Sequence, residues 1–475
     1  MNFEDVIIFI NDNIIGVMLM VLILSVGVYL TIRTRFVQVR CLGKALKYMV
    51  KNEEDGDGEV TSFGALCTAL SATIGTGNIV GVATAICAGG PGALLWMLIA
   101  AFFGMATKYA EGVLAIKYRR KMKEGHFLGG PFYYIELGMG KKYRWLSKSF
   151  AVFGALAGLM GIGTITQING ITSAAASFFD PAQSAVAFTI GGTSYTWTTV
   201  IAGLAVTLFA ALVIIGGIKR IAKVSEVIVP FMAATYVLFA LIILFVNYQA
   251  IPNAFKQIVV GAFDPSAVGG AITGLAIKTI IQKGVGRGIF SNEAGLGSAP
   301  IAAASAKTKD PARQGLVTMT GTFIDTIVIC TMTGLSIVIT GAWNPEVTGE
   351  KLAGVDVTTY AWQHGLPFDK NISAFILMLC LIFFAFTTIL GWNYYGERCL
   401  EYLSGGKKGM IMTYRVLYIL AVLIGPYLTV AAVWNIADVF NSLMAFPNLV
   451  ALCFLAGVTA KETKDFYARK KHRLR

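Results

Sequence analysis

At 475 residues, with 56% hydrophobic and only 14% charged side chains, the chain is too apolar for a soluble protein, where roughly a quarter of residues carry charge. The mean hydropathy is +0.69 and apolar runs of span length recur throughout, which makes it an all-α polytopic membrane protein. The net charge of +13 sits in a few loops, so it sets topology and argues against nucleic acid; three histidines and seven cysteines, none in metal-ligand or CxxC spacing, argue against a metalloenzyme and a disulfide framework.

Span 14–32 comes first, preceded by Glu4, Asp5 and Asp12 and followed by Arg33, Arg35, Arg40, Lys44, Lys47 and Lys51. No basic stretch precedes it and no small-residue cleavage site follows, so it is expected to be a retained helix. Positive residues stay cytoplasmic, which puts the N-terminus outside. The spans that follow are 62–88, 92–118, 150–178, 197–215, 227–246, 268–306, 316–340, 372–395, 410–427 and 430–458. Eleven spans leave the N-terminus outside and the C-terminus in the cytoplasm of a cell-membrane protein. The outside segments 179–196, 248–266 and 341–371 hold only Lys256, Lys351 and Lys370. A miscounted span would reverse the sign of every later loop.

Residues 61–91 carry no charge, and at their centre stands Ile74-Gly75-Thr76-Gly77-Asn78. Two glycines in three residues weaken a helix, and unpaired backbone groups survive at membrane depth only inside protein or around a polar cavity. A discontinuous helix is expected there. A half-helix beginning near Gly77 turns free amides and its positive end toward a carboxylate; carbonyls of the half-helix ending near Ile74 face an ammonium group or sodium. The spacing GxGxxxG, with no strand before it, is a poor dinucleotide fingerprint. Packing through Gly77 and Gly81 does not explain Thr73, Thr76 and Asn78.

The span 268–306 is interrupted too, by Lys283-Gly284-Val285-Gly286-Arg287-Gly288 and then Ser291-Asn292-Glu293-Ala294-Gly295-Leu296-Gly297-Ser298. Paired glycine-broken spans in corresponding places of two halves point to an inverted-repeat transporter. Setting the first span aside, each half holds five spans, the odd number that opposite topology requires. The chain therefore divides into an extra N-terminal helix and loop (1–61), a first five-helix repeat (62–247), a second (248–458) and a basic cytoplasmic tail (459–475).

Isolated polar residues in the spans admit both structural and functional roles. Lys108 and Glu111, three apart, are expected to form an internal ion pair. Asp325 either couples to a cation or pairs with Lys278, Lys283 or Arg287, and Glu293 carries the same two readings. Gln167 and Asn169 either bond across helices or, for Gln167, face the solute. Thr387 and Thr388 offer hydroxyls to their own helix or to a cation shell.

The strings SATIGTGNIVGVATAICAGGPGALLWM, GMATKYAEG and GRGIFSNEAGLGSAPIAAA resemble the alanine or glycine:cation symporter family, the sodium:alanine symporters of the amino acid–polyamine–cation superfamily, over nearly the whole chain. The family's phenylalanine-tryptophan-methionine-tryptophan string reads Leu95-Trp96-Met97-Leu98 here, a change in outer packing. The resemblance implies the leucine-transporter fold with one extra N-terminal helix. It also implies import of alanine or glycine coupled to sodium, with no organic cofactor and no enzyme activity. Substrate residues carried over on this likeness are Thr73, Gly75, Thr76, Gly77, Asn78, Gln167, Gly274, Ile277 and Trp392. The sodium site maps to Ser71, Ile74, Thr387 and Thr388. Proton coupling is the alternative, a channel is less favoured, and an enzyme comes last. The partners implied are the amino acid, sodium and the lipid bilayer, around a chain taken as a monomer.

Overall fold

The computed structural model describes residues 16–51, 56–190, 193–264, 277–428 and 430–473. Helix α1 (Gly16–Arg33) is uniformly apolar and ends on its first arginine. The chain then reverses through Arg35 and Phe36, both at φ 55°, into short basic helices. Helix α2 (Ser62–Thr73) starts on Thr61, whose hydroxyl accepts the Gly64 amide at 2.9 Å, a cap contributing about 1 kcal/mol. It stops at Ile74, which is extended (φ −78°, ψ 97°). A π-helical turn (Gly77–Gly81) and α3 (Val82–Gly89) continue the span with a 55° bend. The break expected at 74–78 is therefore present.

Helix α4 (Gly92–Tyr118) leads into a small antiparallel hairpin, β1 (Arg120–Lys121) with β2 (Phe127–Leu128). The span expected as one helix over 150–178 is instead two, α5 (Arg144–Met160) and α6 (Ile165–Phe179). At this interruption the chain packs tightly on Trp392: a Cβ at Gly163 would lie 2.2 Å from the Trp392 Cβ, so only glycine fits there. A second hairpin, β3 (Val186–Ile190) with β4 (Thr193–Thr196), precedes α7 (Trp197–Ile215). Then come α8 (Ile218–Val246), which accommodates Pro230, and α9 (Ile251–Gly261).

The span expected over 268–306 is described from Ile277 onward. Helix α10 (Ile277–Asn292) runs straight through Lys283 to Gly288. Among the described residues of this span the chain unwinds at 293–298, where Glu293, Gly295 and Gly297 take φ of 54°, 89° and 82°, before the short α11 (Ala299–Ala303). Gly284 and Gly288 serve packing instead: a Cβ at Gly284 would lie 2.3 Å from the Ala93 carbonyl oxygen, and one at Gly288 would lie 3.0 Å from Met97. Next, α12 (Pro311–Thr322) and α13 (Thr331–Thr340) flank a π-helical stretch, Phe323–Cys330. After α14 (Val355–Gly365) come α15 (Lys370–Ser404), α16 (Lys408–Ile424) and α17 (Val430–Arg473). The basic stretch expected as a tail from 459 continues α17 as helix through Arg473.

Among the described residues nine helical segments are long and apolar enough to cross a membrane, and ten if the bent α2–α3 pair counts as one span. The remaining expected span, 268–306, holds the 16-residue α10. In their most apolar windows α4 and the α5–α6 pair are 67% buried, whereas α1, α7, α8 and α16 are 28–33% buried. The second group lines the perimeter with exposed Leu204, Leu208, Phe209, Phe231 and Phe245, as a lipid-facing surface requires. At one end of the bundle Arg119 gathers the two broken spans. Its guanidinium donates to the carbonyls of Asp57, Ala304, Ala306 and Thr308 at 2.7–2.9 Å, beside a parallel bridge between Val60 and Ala306.

Candidate functional site

The ends of α2 and the π-turn leave backbone groups without helical partners, and side chains from distant helices meet them. The Gly75 amide donates to Oδ1 of Asn78 at 2.9 Å, and the Thr76 amide donates to Oε1 of Gln167 at 3.1 Å. Gln167 in turn donates through Nε2 to the Ile162 carbonyl at 2.9 Å, so it ties the α2–α3 break to the α5–α6 break. On the other side, the Thr388 hydroxyl lies 3.1 Å from the Ile74 carbonyl oxygen and 3.0 Å from that of Phe384. Helix α15 comes this close because residue 391 is glycine; a Cβ there would be 2.7 Å from the Ala72 nitrogen. Gly75 is needed for the same reason: its Cβ would lie 2.6 Å from Thr388 Oγ1 and 2.9 Å from Gln167 Oε1. The amides expected to be free are thus held by side-chain carbonyl oxygens.

Asn78 also faces α13 and its π-helical lead-in. Its Nδ2 donates to Oδ1 of Asp325 at 2.7 Å, and its carbonyl accepts from Thr333 at 2.8 Å. The other carboxylate oxygen of Asp325 accepts from Ser291 at 2.8 Å and Thr326 at 2.7 Å. Asp325 therefore rests on neutral donors and not on Lys278, Lys283 or Arg287. The first break touches α10 directly, since a Cβ on Gly77 would meet Phe290 Cδ1 at 3.2 Å and Ser291 Cα at 3.4 Å. The two breaks are neighbours in space.

The second break is held by charge. Trp392 Nε1 donates to Glu293 Oε1 at 2.8 Å. Glu111 Oε1 accepts from the Gly297 amide at 3.2 Å and from Asn448 Nδ2 at 2.7 Å. Asn448 Nδ2 also reaches the Gly295 carbonyl, and its Oδ1 accepts from Tyr134. Lys108, 3% exposed, forms no ion pair within 4.0 Å among the described residues, so the expected bond to Glu111 is absent.

The remaining expected residues divide. The hydroxyls of Ser71 and Thr387 bond within their own helices, to Thr68 and Phe384 carbonyls at 2.8 and 3.0 Å. That of Thr73 lies 3.3 Å from the Ala69 carbonyl. The Thr76 hydroxyl is buried with no partner. Trp392 is buried at the second break. Ile277 stands apart at the start of α10, 45% exposed, and Gly274 lies outside the described residues. The Ile74 carbonyl oxygen at the end of α2 and the Thr388 hydroxyl of α15 are thus the two hard oxygens that meet across helices at this break. Sequence reasoning missed Ser291, Thr326 and Asn448; a lone amide in the apolar run AFPNLVALC was the available signal for the last.

A bundle of membrane-length helices whose unwound and polar residues converge halfway along their length is the architecture of a membrane transporter. Its fold is similar to that in the crystal structure of MhsT in complex with L-phenylalanine, a leucine-transporter-fold protein, at a TM-score of 0.57 and 13% identity over 86% of this chain and 98% of that one. The sodium:alanine symporter family matches residues 1–475, and the chain belongs to that family; its members are symporters, not enzymes. It is 46% identical to the sodium/alanine symporter AgcS of Methanococcus maripaludis over 99% of both chains. It is 51% identical to an uncharacterized transporter of Haemophilus influenzae over 99% of this chain and 98% of that one.

Proposed function

We propose that the chain imports small neutral amino acids, alanine and glycine, together with sodium, by alternating access around its two broken spans. The observation that carries this is the pairing at the first break: the amides of Gly75 and Thr76 take side-chain carbonyl oxygens, while the Ile74 carbonyl one residue away takes a hydroxyl. Amides that hold an amide oxygen hold a carboxylate more strongly, because charge-assisted hydrogen bonds are about twice as strong. A substrate carboxylate would displace Asn78 and Gln167 from them. The unpartnered Thr76 hydroxyl and the carbonyls at the end of α2 would receive the ammonium group. Sodium would sit between Ile74 and Thr388, with Ser71 and Thr387 turning their lone pairs toward it. Close approaches on every side, such as Thr76 Cγ2 at 2.5 Å from where a Gly170 Cβ would be, favour a small solute.

The basic loops support an orientation with the N-terminus outside in the cell membrane, and the spacing of the breaks supports one extra helix followed by two inverted five-helix repeats. The protein in liposomes is expected to accumulate labelled alanine only when sodium is higher outside. Accumulation that follows an inward proton gradient without sodium would make the proton the coupling ion, and flux without accumulation would make the protein a channel.

A further inference from the structure

A cavity of about 340 Å³ lies between α1, α10 and α17, on the far side of Phe290 and Leu296 from the first break. Its floor includes Phe290 and Leu296. The Phe290 ring is also the group nearest to Gly77, so one aromatic ring separates this cavity from the first break. We propose that the cavity is a second binding site for the transported amino acid, with its carboxylate at Lys283 and its ammonium group at Asn441. The proposal rests on the reading of the solute as a small amino acid.

The lining carries both signs of charge. Lys283 and Arg287 stand one turn apart on the same face of α10, and Asp438 and Asn441 stand three apart on α17. A simple anion would lie against Asp438, and a simple cation against two basic residues; a zwitterion matches both walls. Arg287 and Asp438 have contacts of their own and set the local field. Asn441 makes the stronger case for a ligand. It is 5% exposed, and its Oδ1 has no hydrogen-bond partner. A buried acceptor left unmet is costly, and an ammonium group supplies the missing donor. The volume is near the low end for small-molecule sites, which leaves room for an amino acid of alanine size with water. Leu19 and Met20 of α1 close the apolar side, which gives the extra N-terminal helix a part in solute binding.

Equilibrium dialysis of the purified full chain with labelled L-alanine at saturating sodium counts the sites. Two alanines per chain are expected for the wild type, and one for Lys283→Glu and for Asn441→Leu. Gly75→Val, which crowds the first break, is expected to keep one. The alanine retained by each variant shows that it is folded, and Asn441→Leu carries the test if Lys283→Glu does not fold. One alanine in the wild type, unchanged by both cavity variants, overturns the second site and leaves the first standing. Two alanines unchanged by both variants also overturns it. No binding to the wild type overturns both sites.

Discussion

The side-chain carbonyl oxygen of Gln167 lies 3.1 Å from the backbone amide of Thr76, 91 residues away along the chain. The same side chain caps a carbonyl in a second broken span. One residue therefore holds two breaks in register and occupies the amide that a substrate carboxylate would need. Gln167→Glu places a fixed negative charge on that amide, and it is expected to weaken alanine binding by tenfold or more, about 1.4 kcal/mol. Titration of the purified variant with alanine checks this; unchanged affinity would mean that the Thr76 amide takes no part.

Gly75→Ala puts a methyl group 2.6 Å from Thr388 Oγ1. Overpacking of this kind costs about 1–3 kcal/mol. Because Thr388 is also the hydroxyl at the Ile74 carbonyl, the substitution is expected to raise the sodium concentration for half-maximal uptake, and uptake measured against sodium shows the shift.

Asp325→Ala strips the carboxylate acceptor from the buried hydroxyls of Ser291 and Thr326 and leaves Asn78 Nδ2 with the longer bond to the residue-325 carbonyl at 3.2 Å. Unmet buried donors cost about 1–3 kcal/mol each. The variant is expected to unfold at a lower temperature, whereas Asp325→Asn, which keeps an acceptor for Ser291 and Thr326, recovers most of the stability. Thermal melts of both variants in detergent separate the loss of hydrogen bonds from the loss of charge.

Arg119→Ala removes four hydrogen bonds to the carbonyls that join residues 57 and 304–308. The Lys307 amide, which donates to the Val60 carbonyl at 2.7 Å, is expected to exchange its proton faster, read by hydrogen exchange on peptides covering 304–308. Exchange that stays at the wild-type rate would show that the bridge holds without the arginine.

The first break was legible because Gly75 and Gly77 stand among hydroxyls with no packing role able to account for them. The second was legible over Glu293–Ser298, where the chain does unwind, but not over Lys283–Gly288, which is helical. Gly284 and Gly288 look like helix breakers, yet they let α4 approach, and among the described residues of this span the chain unwinds where Glu293, Gly295 and Gly297 take positive φ. The break in the 150–178 span was not legible. Gly161 and Gly163 lie in an apolar run, and the residue that packs against Gly163, Trp392, comes from another part of the sequence. The partners of Asp325 are hidden for a related reason: a lone carboxylate in a span points to an opposite charge, and the fold supplies neutral donors.

The most direct test of a two-pole site at the first break is alanine binding to the purified protein by calorimetry over a range of sodium concentrations. Adjacent amide and carbonyl sites predict that sodium tightens alanine, that alanine tightens sodium by the same factor, and that propionate and ethylamine, each with one pole, bind far more weakly than alanine. Alanine affinity independent of sodium, with propionate binding as well as alanine, would contradict it.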